Sequence, residues 1–374
     1  MWPLALKMLV ADRGKLLTAL VGVVFSVVLV NVQGGLFVGL VRKASMLVDH
    51  GQADIWVGHK NMHNVDFPRD IPRRWENRIR AVPGVLRAEP HLIGFSEMTL
   101  PSGGFEGVVV VGVERSSMLG SAWNLVEGQP HDILRTDGVI VDECEGHKLE
   151  YPQIGEMREI GGRRARIVGK SQGITSFLVT PYVFTTYDRA AAYTKKRPDV
   201  CSYVLVQTEP GADVERVCRD IQRRVPDAEA FPRDRYSRVS IDFWMRRTGL
   251  GISFGAATLL GLLVGLVMVA QSLYAMVLDR LSEFGTLKAM GAAERQVFGI
   301  LLSQALAMAL VGSMVGLGLV AAVQNALSTP RAPIEIPAWL SLGSTALVLA
   351  ICLVSSLLPY LRIRKVDPLL VLQL

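Results

Sequence analysis

The sequence predicts an α-helical membrane protein with four transmembrane helices and a large extracytoplasmic α+β domain of two lobes between helices one and two. Half of the 374 residues are hydrophobic, and the mean hydropathy is +0.32. The apolar residues concentrate in four runs, each long enough to cross a hydrocarbon core of about 30 Å at about 1.5 Å per residue. Between the first two runs, roughly 200 residues carry scattered charges and frequent turn residues, as a soluble domain does.

These patterns divide the chain into nine segments. They are an amphipathic N-terminal segment (1–15), transmembrane helix 1 (16–41), the extracytoplasmic domain (42–246), transmembrane helix 2 (247–278), a second amphipathic segment (279–296), transmembrane helix 3 (297–323), a short extracytoplasmic loop (324–339), transmembrane helix 4 (340–361) and a tail (362–374).

The first apolar run is predicted to be a membrane helix and not a secretory signal. It is longer than the hydrophobic region of a signal peptide, which spans about 7–15 residues, and no clear small-residue cleavage site follows it. Asn31, Gln33, Gly34 and Gly35 interrupt its second half. Polar and small residues at these positions predict a helix face that packs on protein.

The soluble region is predicted to contain two similar strand–helix–strand units. The first has a strand at 53–58 and a helix at 71–85, and the second has a strand at 201–208 and a helix that ends at Pro226. Two such units would pair in one sheet, with the segment at about 95–195 inserted between them as a second lobe. In that insert, 105–114 reads as a strand, Gly161-Gly162 as a hairpin turn, and 182–193 as a strand followed by a helix.

Basic residues predict the orientation in the membrane. Most of those flanking the apolar runs lie in the N-terminal segment, in 279–296 and in the tail, so these parts are expected in the cytoplasm. Arg42, Lys43, Arg246 and Arg247 flank the soluble domain on the opposite side, but large domains translocate largely regardless of charge. The net charge of +6 therefore indicates contact with anionic lipid and not nucleic acid, for which no binding motif is present.

No motif predicts catalysis by this chain. Gly169-Lys170-Ser171 resembles the end of a phosphate-binding loop, but the glycine required five residues before Gly169 is replaced by Arg164. We therefore expect no ATP hydrolysis by this chain alone. His59, His63 and Asp66 have a spacing that would suit a metal on a helix, but they lie in a predicted loop.

The cysteines do not form a recognisable framework. Cys352 lies in an apolar run, where a buried thiol is expected. Cys201 and Cys218 could form a disulfide in an extracytoplasmic domain, although Cys144 leaves the number of cysteines there odd. The pairing stays open at the level of sequence.

The predicted spans contain almost no ionisable residues. Carriers driven by ion gradients use such groups at mid-membrane to relay protons or sodium. The polar side chains within these spans are mainly amides and hydroxyls, such as those of Gln271 and Gln304. This argues against a gradient-coupled carrier and against an ion channel.

The segment 279–296 is the candidate functional element. Leu281, Phe284, Leu287 and Met290 follow one another at spacings of three, which places them on one stripe of a helix with charged residues opposite. Pinned between two spans, such a helix lies at the membrane surface. An ordinary interfacial helix is the alternative interpretation.

This segment resembles the signature of the MacB/FtsX-like permeases, the type VII ABC transporter membrane subunits. The resemblance rests on Glu283, Phe284, Gly285, Leu287, Lys288, Ala289, Met290, Gly291 and Ala292, and on the tail motif at 364–369. The layout of one span, a large domain and three spans also matches. Segments at 4–37, 47–57, 83–90, 123–128 and 161–169 resemble the DevC-like branch most closely.

The resemblance implies a permease domain at about 250–370, an inner-membrane location and a homodimer. It implies that a separate ABC ATPase subunit binds ATP and Mg, with no cofactor bound by this chain. A coupling helix would contact that ATPase through Leu281, Glu283, Phe284, Gly285, Leu287, Lys288, Met290, Gly291 and Ala292. A periplasmic membrane-fusion adaptor and an outer-membrane channel would complete an export pump.

Two other functions remain compatible with the sequence. One is an FtsX-type permease that transports nothing and controls an extracytoplasmic partner, such as a hydrolase. The other is a lipoprotein-release permease, against which the DevC-like segments argue. Glycolipid, peptide, haem and drug are all compatible as substrates.

Overall fold

We describe residues 13–178, 180–279, 283, 286, 292–329, 332–357 and 360–361 in a computed structural model of the chain. The helices are α1 (Arg13–His50), α2 (Trp75–Arg80), α3 (Tyr187–Tyr193), α4 (Val214–Arg224), α5 (Arg233–Arg247), α6 (Leu250–Asp279), α7 (Glu294–Leu327) and α8 (Ala338–Ser355). The strands are β1 (Ile55–His59), β2 (Ile71–Pro72), β3 (Val85–Thr99), β4 (Phe105–Val113), β5 (Leu125–Glu127), β6 (Gly138–Asp142), β7 (Met157–Ile160), β8 (Arg163–Ser171), β9 (Tyr182–Thr186), β10 (Val200–Cys201), β11 (Tyr203–Thr208) and β12 (Ala228–Pro232).

The chain forms two compact units. A helical unit comprises Met1–Gly39 and Gly251–Leu374, and an α+β domain comprises Leu40–Leu250. Within the described residues, four helices are long and apolar enough to cross a membrane, namely α1, α6, α7 and α8. The fold class predicted from the sequence is therefore confirmed, although α1 extends well beyond the span predicted at 16–41.

One mixed sheet runs through the α+β domain, in the order β12-β1-β11-β3-β4-β9-β6-β8-β5, with β7 pairing to β3 and β8. The long strand β3 belongs to two lobes. Its residues 85–91 pair with β11 in a first lobe, and its residues 92–99 pair with β4 in a second lobe. The predicted insertion of a second lobe between two paired units is confirmed.

Alternating side chains give this sheet two apolar faces. Ile55 and Val57 join a core on one face, whereas Trp56 between them joins a core on the other. Because successive strand residues point to opposite faces, continuous apolar strands indicate burial on both sides. The first face is covered by α2, α3 and α4, and the second by the end of α1 and by α5.

The predicted helix at 71–85 is wrong at its start. Ile71 and Pro72 form β2, which pairs with β10, and the helix spans only Trp75–Arg80. The residue before a proline favours an extended backbone, so Ile71 leads into a strand, and the Arg73 N–H then donates to the carbonyl of Asp199 at 2.8 Å.

Other local predictions are confirmed. Gly161 and Gly162 have φ values of 58° and 78° and form the two-residue turn between β7 and β8, which requires φ > 0 at both positions. Lys170 and Ser171 lie in β8, so this segment is not the strand-to-helix loop that phosphate binding needs. The pairing of Cys201 with Cys218, which the sequence left open, is not formed in the structure, where both are buried free thiols.

Small residues allow helices of the helical unit to approach closely. Gly312 and Gly316 of α7 face Val23 and Val27 of α1, and a Cβ added at Gly312 would lie 2.5 Å from Val23. This is a G-x-x-x-G face filled by a neighbouring helix of the same chain. The fully buried Asn31 of α1 also donates to Ser344 of α8 at 2.7 Å, which confirms that this part of α1 packs on protein.

Candidate transmission site

The predicted coupling segment is described only in part. Helix α6 ends at Asp279 and α7 begins at Glu294. Glu283 is exposed and helical, and Ala292 is half-buried just before α7. The other predicted contact residues lie outside the described residues: Leu281, Phe284, Gly285, Leu287, Lys288, Met290 and Gly291. The coupling helix therefore stays a prediction.

The α+β domain holds its first and last helical segments together. The Ser240 hydroxyl of α5 donates to the carbonyl of Ala44 in α1 at 2.6 Å, and it accepts from the backbone N–H of Val65 at 3.4 Å. Ser240 and Ala44 are fully buried, so water does not compete for these bonds. Displacement of either helix would therefore also displace the other helix and the loop after β1.

A buried set of aromatic residues surrounds this joint. The Tyr236 hydroxyl of α5 donates to the Tyr203 hydroxyl of β11 at 2.9 Å, and Tyr203 donates in turn to the carbonyl of Asn64 at 3.0 Å. The Trp56 ring of β1 packs edge-on against Tyr203, with centroids 5.3 Å apart. Rigid rings with satisfied hydroxyls join α5, two strands and the loop into one packed block.

Asp66 connects this block to the second lobe. Its Oδ1 accepts from the hydroxyl of Tyr182 at 2.9 Å, and Tyr182 lies on β9. Burial raises the pKa of Asp66 to about 6, which the Tyr182 hydroxyl offsets in part because it favours the ionised carboxylate. A buried carboxylate with a raised pKa thus lies where the loop after β1 meets Tyr182 of the second lobe.

Sequence reasoning considered Asp66 only as a metal ligand together with His59 and His63. The structure confirms a loop for His63 and Asp66, whereas His59 is the last residue of β1. The His63 ring lies against Phe243, with centroids 6.3 Å apart. Within the described part of the chain, no group of three or more His, Cys, Asp or Glu is placed to hold a metal ion. The missed signal was Tyr203 directly before the apolar residues 204–206 of a predicted strand, since a buried tyrosine hydroxyl needs a polar partner.

Two family models match the chain. The model of the MacB-like periplasmic core domain matches residues 16–224, more than half of the chain. The model of the FtsX-like permease C-terminal region matches residues 255–368. The first covers most of the α+β domain together with much of α1, and the second covers α7, α8 and most of α6.

The chain is also similar to an ABC transporter permease and to the domains of two transporters of known structure. An uncharacterized ABC transporter permease of Mycobacterium tuberculosis, found in two strains, is 25% identical over 357 residues, covering 93% of this chain and 91% of the relative. The extracellular domain of the noncanonic ABC-type transporter YknZ from Gram-positive bacteria has 13% identity and a TM-score of 0.37 over 47% of this chain and 98% of that domain. The periplasmic region of MacB from Actinobacillus actinomycetemcomitans has 9% identity and a TM-score of 0.39 over 50% of this chain and 92% of that region.

Proposed function

Because this chain belongs to the MacB/FtsX-like family of ABC transporter permeases, we propose that it couples ATP hydrolysis on a separate ATPase subunit to movement of its α+β domain. The movement would drive export of a substrate on the far side of the membrane, together with a periplasmic adaptor and an outer-membrane channel. The ATPase would supply the ATP and Mg sites.

The observation that supports this proposal most directly is the bond between Ser240 and Ala44. The domain is inserted in the chain between α1 and α6, and α5 precedes α6 by only two residues. The two connections through which the membrane helices can move the domain are thus joined to each other by a buried hydrogen bond of 2.6 Å. A joint of this kind would move the domain as a whole and would pass the movement to the second lobe through Asp66.

The movement that reaches this joint would start at the segment 279–296, where the ATPase would bind. We propose that Leu281, Phe284, Leu287 and Met290 form its apolar contact, that Glu283 and Lys288 make polar contacts with the ATPase, and that Gly285, Gly291 and Ala292 let the two surfaces approach closely. This assignment places 279–296 and both termini in the cytoplasm and the α+β domain outside it. Two copies of the permease would serve two ATPase subunits.

Co-purification tests the assignment. The tagged full-length permease is purified in detergent with the ABC ATPase encoded beside it, as wild type and as the double variant Glu283→Arg/Met290→Asp. Opposite charge at Glu283 and a carboxylate in the apolar stripe should abolish capture of the ATPase, because both remove complementarity from one small interface.

A matched control makes the same chemical changes elsewhere, as Leu327→Asp/Glu335→Arg at the end of α7 and in the loop after it. The control should retain the ATPase. Equal capture of the ATPase by all three proteins would show that 279–296 is not the coupling element. Capture that depends on Glu283 and Met290 without any export would instead favour a signalling permease.

A further inference from the structure

A small cleft lies in the α+β domain beside the transmission site. It has a volume of about 70 Å³ and lies between the segment after β1 and α5. Its lining includes Lys60, Asn64, Phe67, Arg69 and Phe243. No function assigned above uses this cleft.

Asn64, one of the lining residues, has a buried side-chain donor without a partner among the described residues. The side chain is 4% exposed, and its Oδ1 accepts from the backbone N–H of Asp66 at 2.8 Å. That bond identifies the other end of the amide as the NH2 group. Among the described residues, Nδ2 has no hydrogen-bond partner. A buried donor of this kind calls for an acceptor supplied from the cleft.

The rim of the cleft is cationic. Lys60 and Arg69 are exposed, and neither forms an ion pair within the described part of the chain. None of the residues that line the cleft is an aspartate or a glutamate. Lys60 and Arg69 favour a negatively charged ligand, and the Asn64 side-chain donor favours a hydrogen-bond acceptor. An anionic group meets both requirements.

Exposed aromatic rings extend the cleft on one side. Phe67 and Phe95 are 48% and 49% exposed, and their centroids are 6.0 Å apart. Phe67 also packs against the Trp244 ring at 6.1 Å, and Trp244 stacks on Phe177 at 3.8 Å. Two adjoining, half-exposed phenylalanines backed by a packed indole form an apolar platform that would bind an apolar body.

The size of the cleft limits what it holds. A water molecule needs about 10–15 Å³ by this measure, so the cleft takes a group of a few heavy atoms. Whole drug-sized ligands occupy pockets of about 300–1,000 Å³. The occupant is therefore a compact anionic group, with the rest of the molecule outside on the rings.

We propose that this cleft binds the anionic head group of a membrane amphiphile, whose apolar chain lies on Phe67 and Phe95. The connectivity favours the membrane as the source. Phe243 precedes Leu250, the first residue of the apolar helix α6, by seven residues. Since α5 remains helical to Arg247, the two residues lie within about 20 Å of each other.

Calorimetry on the full-length permease tests this proposal without the ATPase, so its outcome is separate from that of the coupling proposal. The protein is placed in nanodiscs of phosphatidylcholine and titrated with dodecyl phosphate, and heats from empty nanodiscs are subtracted. Dodecanol and inorganic phosphate are titrated in the same way. Wild type should bind dodecyl phosphate saturably and at least about tenfold more tightly than either of the other probes, since each lacks one of the two recognised parts.

The variant Lys60→Gln/Arg69→Gln should weaken dodecyl phosphate binding about tenfold. The control Arg87→Gln/Arg163→Gln removes the same charge at exposed positions outside the cleft and should bind as wild type does. Equal binding by the cleft variant and wild type would overturn the proposal, as would equal binding of dodecanol. Inorganic phosphate binding as tightly as dodecyl phosphate would identify a site for a soluble anion and overturn the membrane source.

Discussion

Replacing Asp66 by Asn should stabilise the α+β domain at neutral pH. The carboxyl is 4% exposed, and its pKa is raised from 3.8 to about 6, chiefly by burial. At about 1.4 kcal/mol per pKa unit, ionising this group in the folded domain costs about 3 kcal/mol relative to the unfolded chain. Asn keeps an oxygen for the Tyr182 hydroxyl and removes the charge.

The pH dependence gives a sharper form of the same prediction. Between pH values of about 4 and 6, the folded domain holds the Asp66 proton and the unfolded chain does not, so Asp66 favours folding increasingly as the pH falls. His91 acts in the opposite direction. Burial lowers the pKa of His91 from 6.5 to about 3, so its contribution is present above pH 6.5 and is lost as the pH falls.

In wild type, Asp66 and His91 change the stability of the domain in opposite directions as the pH falls, and the two changes cancel over most of the range between about pH 4 and pH 6. In Asp66→Asn the opposing contribution of Asp66 is absent, so the slope contributed by His91, about 1.4 kcal/mol of lost stability per pH unit below about pH 6.5, is no longer offset by it. Urea unfolding of the full-length protein in nanodiscs, followed by tryptophan fluorescence between pH 4 and pH 8, measures both effects. The exposed Asp227→Asn is the control. A variant no more stable than wild type at pH 7.5, or a pH slope equal to that of wild type, would refute the reasoning.

Two further variants test the packing. Gly312→Leu should destabilise the helical unit by about 1–3 kcal/mol, because the new side chain meets Val23, whereas Gly318→Leu on the same helix meets nothing within 4 Å and should be neutral. Thermal unfolding of the purified protein measures the difference in stability, and equal midpoints would contradict the close packing. Ser240→Ala should leave ATPase capture intact but lower export, since it deletes the bond to Ala44; unchanged export would remove this bond from the mechanism.

Local patterns predicted the parts of the fold that depend on local chemistry. The hairpin at Gly161-Gly162 follows from two positions with positive φ, and the end of α4 follows from the proline at Pro226. The helix start at 71 was wrong because the pairing of β2 with β10 is a contact between distant residues. The residue pattern around position 71 does not show that β10, more than a hundred residues later, will pair with it.

The candidate site was harder to predict from the sequence, because it too depends on contacts between residues that are far apart in the chain. Nothing next to Asp66 in sequence distinguishes it from a solvated loop carboxylate, and its hydrogen-bond partner Tyr182 lies more than a hundred residues away. The glycines Gly312 and Gly316 have the spacing of a helix-packing motif, which is visible in sequence, but the surface that fills it is not. The resemblance to a permease family identified the segment 279–296 by its residue types alone.

The shared strand β3 also has a consequence for how the domain is made. The second lobe is built from a continuous stretch, 92–193, whereas the first lobe needs 55–91 together with 200–232. The strand pairings of the second lobe join residues at most 73 positions apart, as between Val109 and Tyr182, whereas those of the first lobe join residues 112 or more positions apart. The second lobe can therefore form earlier. The first lobe cannot form until β11 and β12 have been synthesised, because β1 pairs with both of them. Until then the apolar strand β1 remains unpaired. We expect the pairing of β1 with β11 and β12 to be the slow step in biogenesis. A chaperone would have to protect β1 until that pairing is made.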